Sequence, residues 1–184
     1  MIATAYAKGV SATIQNMSGL YVASDHGGLW SNTSSSSDSF ESEAHLLLDT
    51  TDANTGIGAG DTINSFKLVL NISGYDNPNL STFWGLYWGT GAGATIDVGD
   101  WRVDSGNEVL FDPGGVNSAY EIPLIGAFVK SSNFHIRIKT LASESPASGI
   151  VMLYTAGVTP KLVIDYTPAV SAADIPKMLT LGVG

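Results

Sequence analysis

The segment PKLVIDYTP, residues 160 to 168, alternates apolar and polar residues between two prolines: Leu162, Ile164 and Tyr166 fall on one side, Lys161, Val163 and Asp165 on the other. Successive side chains of an extended strand point to opposite faces, so a period of two fits a half-buried strand and no helix. The same period returns in INSFKLVLNI, where Phe66, Leu68, Leu70 and Ile72 share one face and Lys67, Val69 and Asn71 the other. It is cleanest in FHIRIKT, which is expected to turn Phe134, Ile136 and Ile138 inward and His135, Arg137 and Lys139 outward as a solvated face.

Weaker runs of the same kind are LYVAS, AHLLLD, TFWGLYW, WRVD, EVLF, AYEIPL and GIVMLY, each bounded by Gly, Pro, Asn, Asp or Ser. Together they predict roughly eight to ten strands at the spacing of a sandwich or barrel. Helix is nearly absent; YEIPLIGAFVKS has room for one turn, with Pro123 limiting where it starts. SNTSSSSDSF reads as an exposed loop, and DTTDANTGIGAGDTI as a long connection freed by its glycines. The chain of 184 residues fits one domain, and 21 glycines with only 14% charged residues fit a turn-rich β fold. Without cysteine it has neither disulfides nor thiol chemistry.

ESEAHLLLDTTDANTGIGAGDTINSFKLVLNISGY resembles the opening half of jelly-roll sandwiches related to carbohydrate-binding modules, including the DNRLRE-type domains. The resemblance lies in a strand ending in Leu46, Leu47, Leu48 and Asp49, the loop IGAGDTI, and the long strand NSFKLVLNI. GIVMLYTAGVTPKLVIDYTP is similar to that family's closing pair of strands. The usual W-N-x-x-P segment is missing, and Trp101 stands only in the corresponding region, so the motif assigns no ligand residues. The resemblance implies a single antiparallel jelly-roll β-sandwich over residues 20–167, preceded by an N-terminal segment, 1–19, and followed by an extended arm, 168–184.

Little in the chain suggests catalysis. His26, His45 and His135 lie on separate segments, with no two at the spacing of a metal pair or beside a nucleophile. Asp49, Asp52 and Asp61 flank the glycine-rich connection and are the candidates for a structural calcium, against ordinary Asx-turns; no other cofactor is indicated. In STFWGLYWGTGAG, alternation sets Phe83 and Tyr87 against Trp84 and Trp88, so at least one pair belongs to the core. Trp84 and Trp88 are the candidates for stacking on a sugar ring.

A net charge of −9 with eight Lys and Arg argues against nucleic acid as a partner. The start MIATAYAKGV does not read as an export signal, and no apolar run approaches a membrane span. The tail AVSAADIPKMLTLGVG carries Ile175, Met178, Leu179, Leu181 and Val183, too apolar for a solvating linker and too short to fold alone. Its simplest use is to lie across a neighbour. A cysteine-free sandwich with such an arm is expected to be a virion structural protein, a decoration or cement protein of a tailed bacteriophage made in the host cytoplasm. Its partners would be other virion proteins such as the major capsid protein, and copies of itself, with a trimer among the arrangements that fit. The alternative is a glycan-binding or receptor-binding module of a phage tail or fibre.

Overall fold

The computed structural model describes residues 1–8, 12–17, 20–24, 28–33, 40–75, 84–89, 93–97, 99, 107–111, 118–140, 149–154 and 159–170. Among them are twelve strands and one helical turn. The strands are β1 (Ile2–Tyr6), β2 (Ala12–Met17), β3 (Leu20–Ser24), β4 (Gly28–Thr33), β5 (Phe40–Leu48), β6 (Thr62–Tyr75), β7 (Trp84–Gly89), β8 (Asn107–Phe111), β9 (Ser118–Leu124), β10 (Phe134–Thr140), β11 (Gly149–Tyr154) and β12 (Lys161–Thr167). Every ladder between them is antiparallel. The protein is all-β.

Hydrogen bonding runs through all twelve strands, yet two central strands organise it into two layers. In the first, the 14-residue β6 carries β12 and β11 along its length and β9 as a further partner, with β1 outside β12. In the second, β5 pairs β2 and β10, and the ladder continues through β7 to β8. β4 links the layers, pairing β11 over six residues and β5 over two.

The alternation of the sequence puts the core between these layers. Phe66, Leu68 and Leu70 of β6 and Leu162, Ile164 and Tyr166 of β12 meet Ala44, Leu46 and Leu48 of β5 and Phe134, Ile136 and Ile138 of β10 in one apolar cluster. Phe66 packs edge-on to Trp88 across the layers at 6.5 Å between centroids, and Phe128 fills the space between Phe66 and Phe134. Each such side chain removed from water contributes about 1.5–3 kcal/mol.

Two features depart from the sequence reading. The stretch set apart as an N-terminal segment supplies β1 and β2, with Ala3 and Ala5 buried in the core and the Met1 ammonium donating to the Tyr166 carbonyl at 2.5 Å. AYEIPL forms strand β9 as its pattern predicts, and the room left there for a helical turn is not used. An α-helical turn, α1 (Asp52–Thr55), lies in the glycine-rich connection and closes on Gly56, whose φ of 72° suits a residue without Cβ. WRVD falls outside the described residues.

Leu68 sits where both layers close, fully buried, so Leu68→Ala is expected to cost about 2–5 kcal/mol in urea unfolding. A cost below about 1 kcal/mol would show that the layers do not meet there.

Candidate functional site

The face of β10 opposite the core is where the structure overturns expectation. Its residues were expected in solvent, but His135 and Arg137 are 3% and 1% exposed. β10 lies inside the second layer, between β5 and β7, and its polar side chains meet polar side chains from β5. Arg137 stands directly opposite His45 on β5 and opposite Tyr87 on β7, while Tyr87 stands opposite Glu108 on β8. Directly opposed residues of a ladder share a face, so these strands set one polar row across the layer.

Within that row the groups are in contact. His45 Nδ1 and His135 Nε2 lie 2.9 Å apart, and the rings stack 12° from parallel with centroids 5.1 Å apart. Glu43, 4% exposed, places one carboxylate oxygen 3.6 Å from His45 Nε2 and the other 3.8 Å from Arg137 Nη1. The Arg137 guanidinium lies 4.4 Å from the Tyr87 ring centre, a cation–π distance, and Tyr87 Oη donates to Glu108 at 2.6 Å. Gly89 and Gly85, opposite His135 and Lys139, bring no side chain to this face.

Chemistry narrows the protonation states. The 2.9 Å contact needs one donor and one acceptor, so one of the two facing nitrogens is unprotonated. With His45 keeping its proton on Nε2, toward Glu43, its Nδ1 accepts from His135 Nε2–H. Burial pushes His135 down to about 3, and the neighbouring His45 and Arg137 add to the effect while Glu43 opposes it. Unfolded histidine titrates near 6.5. Between pH 6.5 and 3 the unfolded chain therefore binds the extra proton, so this group's contribution to stability is full above pH 6.5 and is lost as pH falls toward 3.

The residues singled out from sequence are placed differently. Trp88, a candidate for sugar stacking, is 1% exposed and belongs to the core, because it shares its face with Leu86 and lies opposite Ile136. The side chain of Trp84, and Ile175, Met178, Leu179, Leu181 and Val183, lie outside the described residues.

Asp49, Asp52 and Asp61 are each engaged separately. Asp49 accepts from the Thr51 hydroxyl and amide, Asp61 from the amides of Gly58 and Ala169, and both are lowered in pKa chiefly by those hydrogen bonds. Asp52 pairs with Lys130 at 2.6 Å. The same ammonium donates to the carbonyls of Ile57 and Gly58 at 2.6 and 2.8 Å. Lys130 thus meets three oxygens of the connection as a built-in cation, and among the described residues no group of three or more metal-binding side chains assembles. Lys130→Ala is expected to lower stability by about 1 kcal/mol in urea unfolding, since its contacts are partly exposed to solvent. No change would show that these contacts do not persist in solution.

The buried cluster was within reach of the sequence. Had ESEAHLLL been aligned antiparallel with FHIRIKT, Glu43 and His45 would have fallen opposite Lys139 and Arg137, in the register observed.

No protein-family model matches the chain, and no curated protein is significantly similar to it.

Because Glu43 is the buried carboxylate facing both Arg137 and His45, Glu43→Gln is expected to cost about 3–5 kcal/mol. The exposed Lys67–Glu121 pair, at 2.5 Å, is the contrast: Lys67→Ala is expected to cost about 1 kcal/mol or less. Equal costs in chemical unfolding would contradict the enclosure of the cluster.

Proposed function

We propose that this protein is a non-enzymatic virion structural protein, a capsid decoration or cement protein of a tailed bacteriophage, built as a jelly-roll sandwich with a C-terminal arm. The observation that carries the reading is where the large exposed apolar side chains lie. Met1, Ile2, Ile125 and Val170 are 65–77% exposed. Ile2 pairs with Asp165, and Asp165 with Ser65; Ile125 comes one residue after the Phe66–Leu124 pair. Extending that register by one residue sets Ile2 and Ile125 on the outer face of one row. Val170 follows the end of β12, beside the strand that receives Met1.

Apolar side chains left in water at one end of a layer suit attachment to another protein. Residues 171–184 follow Val170, and an apolar surface on the body linked to an apolar arm would give two contacts whose combined affinity exceeds that of either. A glycan-binding reading has less support, since Trp88 is in the core.

Co-sedimentation with purified tailed-phage capsids tests this. Truncation after Val170 keeps the Ala169–Asp61 contact and removes the rest of the arm. The full chain is expected to bind, the truncated chain to bind at least tenfold more weakly, and Ile2→Ser with Ile125→Ser to weaken binding further. Equal binding by full and truncated chains would remove the arm from the account, and no binding to any capsid would remove the function.

A further inference from the structure

We propose that the Glu43–His45–His135–Arg137 cluster is an acid-sensitive latch: protonation of both imidazoles breaks their shared contact and opens the β5–β10 ladder while the first layer stays paired. This goes beyond the attachment role and does not depend on it.

The argument is geometric. Two rings whose facing nitrogens stand 2.9 Å apart share one proton between them, and two imidazolium ions, both donors, cannot keep that contact. With both rings neutral, Glu43 faces Arg137. Each added proton places a further positive charge beside Arg137, at residues 0–4% exposed.

Among the described side chains, the carboxylate in contact with the rings is Glu43 of β5, which also faces Arg137 of β10. Glu41 of β5 and Lys139 of β10 stand at alternate positions of the same strands, and their side chains lie outside the described residues. On β7 there is Tyr87, whose hydroxyl donates to Glu108 of β8; the sequences of β2 and β4 contain no ionisable residue. Lys8 adds a further positive charge near Asn133, where its ammonium donates to the Ser132 carbonyl and the Asn133 side chain. The described part of the first layer has no histidine; its charged groups include the exposed Lys67–Glu121 pair and Asp165 beside the N-terminal ammonium. Acid therefore acts on the second layer first. His26 lies outside the described residues.

Hydrogen exchange followed by mass spectrometry from pH 7.5 to 5, corrected for the intrinsic pH dependence of exchange, reads the two layers separately. In the full chain, opening of Glu43–Leu48 and Phe134–Ile138 is expected to rise with falling pH below 6.5. The slope lies between about tenfold and a hundredfold per pH unit, one to two protons being taken up. Protection over Phe66–Leu70 and Leu162–Tyr166 is expected to hold. His45→Gln with His135→Gln keeps His26 and should remove the slope. The same slope in that variant, or simultaneous loss of protection in both layers, would overturn the proposal. Should the variant not fold, NMR of the unaltered chain decides the matter. His45 and His135 both titrating near 6.5 with native shifts retained would overturn the latch, whereas native signals that keep neutral-ring shifts while losing intensity would support it.

Discussion

The register between β5 and β10 is the constraint on which the rest of the second layer depends. Pairing Ile136 with Leu46 and Arg137 with His45 sends Ala44, Leu46, Leu48, Phe134, Ile136 and Ile138 to the core, and Glu43, His45, His135 and Arg137 to the other face. A slip of one residue in either strand would invert its faces and drive Arg137 or Glu43 among leucines and phenylalanines. Few registers carry so steep a cost, because both faces are enclosed. The apolar face supplies most of the stabilisation, while the polar face penalises the wrong pairing.

A buried ion pair is poor evidence of stability in itself, since well-packed apolar residues in its place often do as well or better. Its effect here is felt when one member changes its charge. Glu43 already faces Arg137, and each proton gained by a histidine adds positive charge beside that guanidinium, so the arrangement that fixes the pairing also makes it sensitive to acid. Packing, register and protonation are one problem in this layer, in contrast to the exposed charge pairs of the first.

How far the sequence could be read follows from the same physics. Strands β6, β10 and β12 were legible because clean alternation reports a face buried against one core. β1 was not, because IATAY buries only Ala3 and Ala5, residues too small to mark a face. The outward set of β10 was misread because alternation tells apolar from polar, not enclosed from wet. Only the partner strand shows that His135 and Arg137 face Glu43 and His45. The aspartates of the glycine-rich connection could be placed on one loop, but not the Lys130 ammonium that enters it from 70 residues and more along the chain. Trp88 shows the complementary limit: aromatic residues suit sugar rings and cores equally well, and strand position decides between them.

The most direct test of the account is the pairing of β5 with β10 in solution, read from cross-strand nuclear Overhauser contacts in the labelled protein. The account predicts contacts that join Leu46 to Ile136 and His45 to Arg137, with a scalar coupling between His45 Nδ1 and His135 Nε2 across their hydrogen bond. Hα–Hα or amide–amide contacts that make Leu46 directly opposite Arg137 or His135 would contradict it.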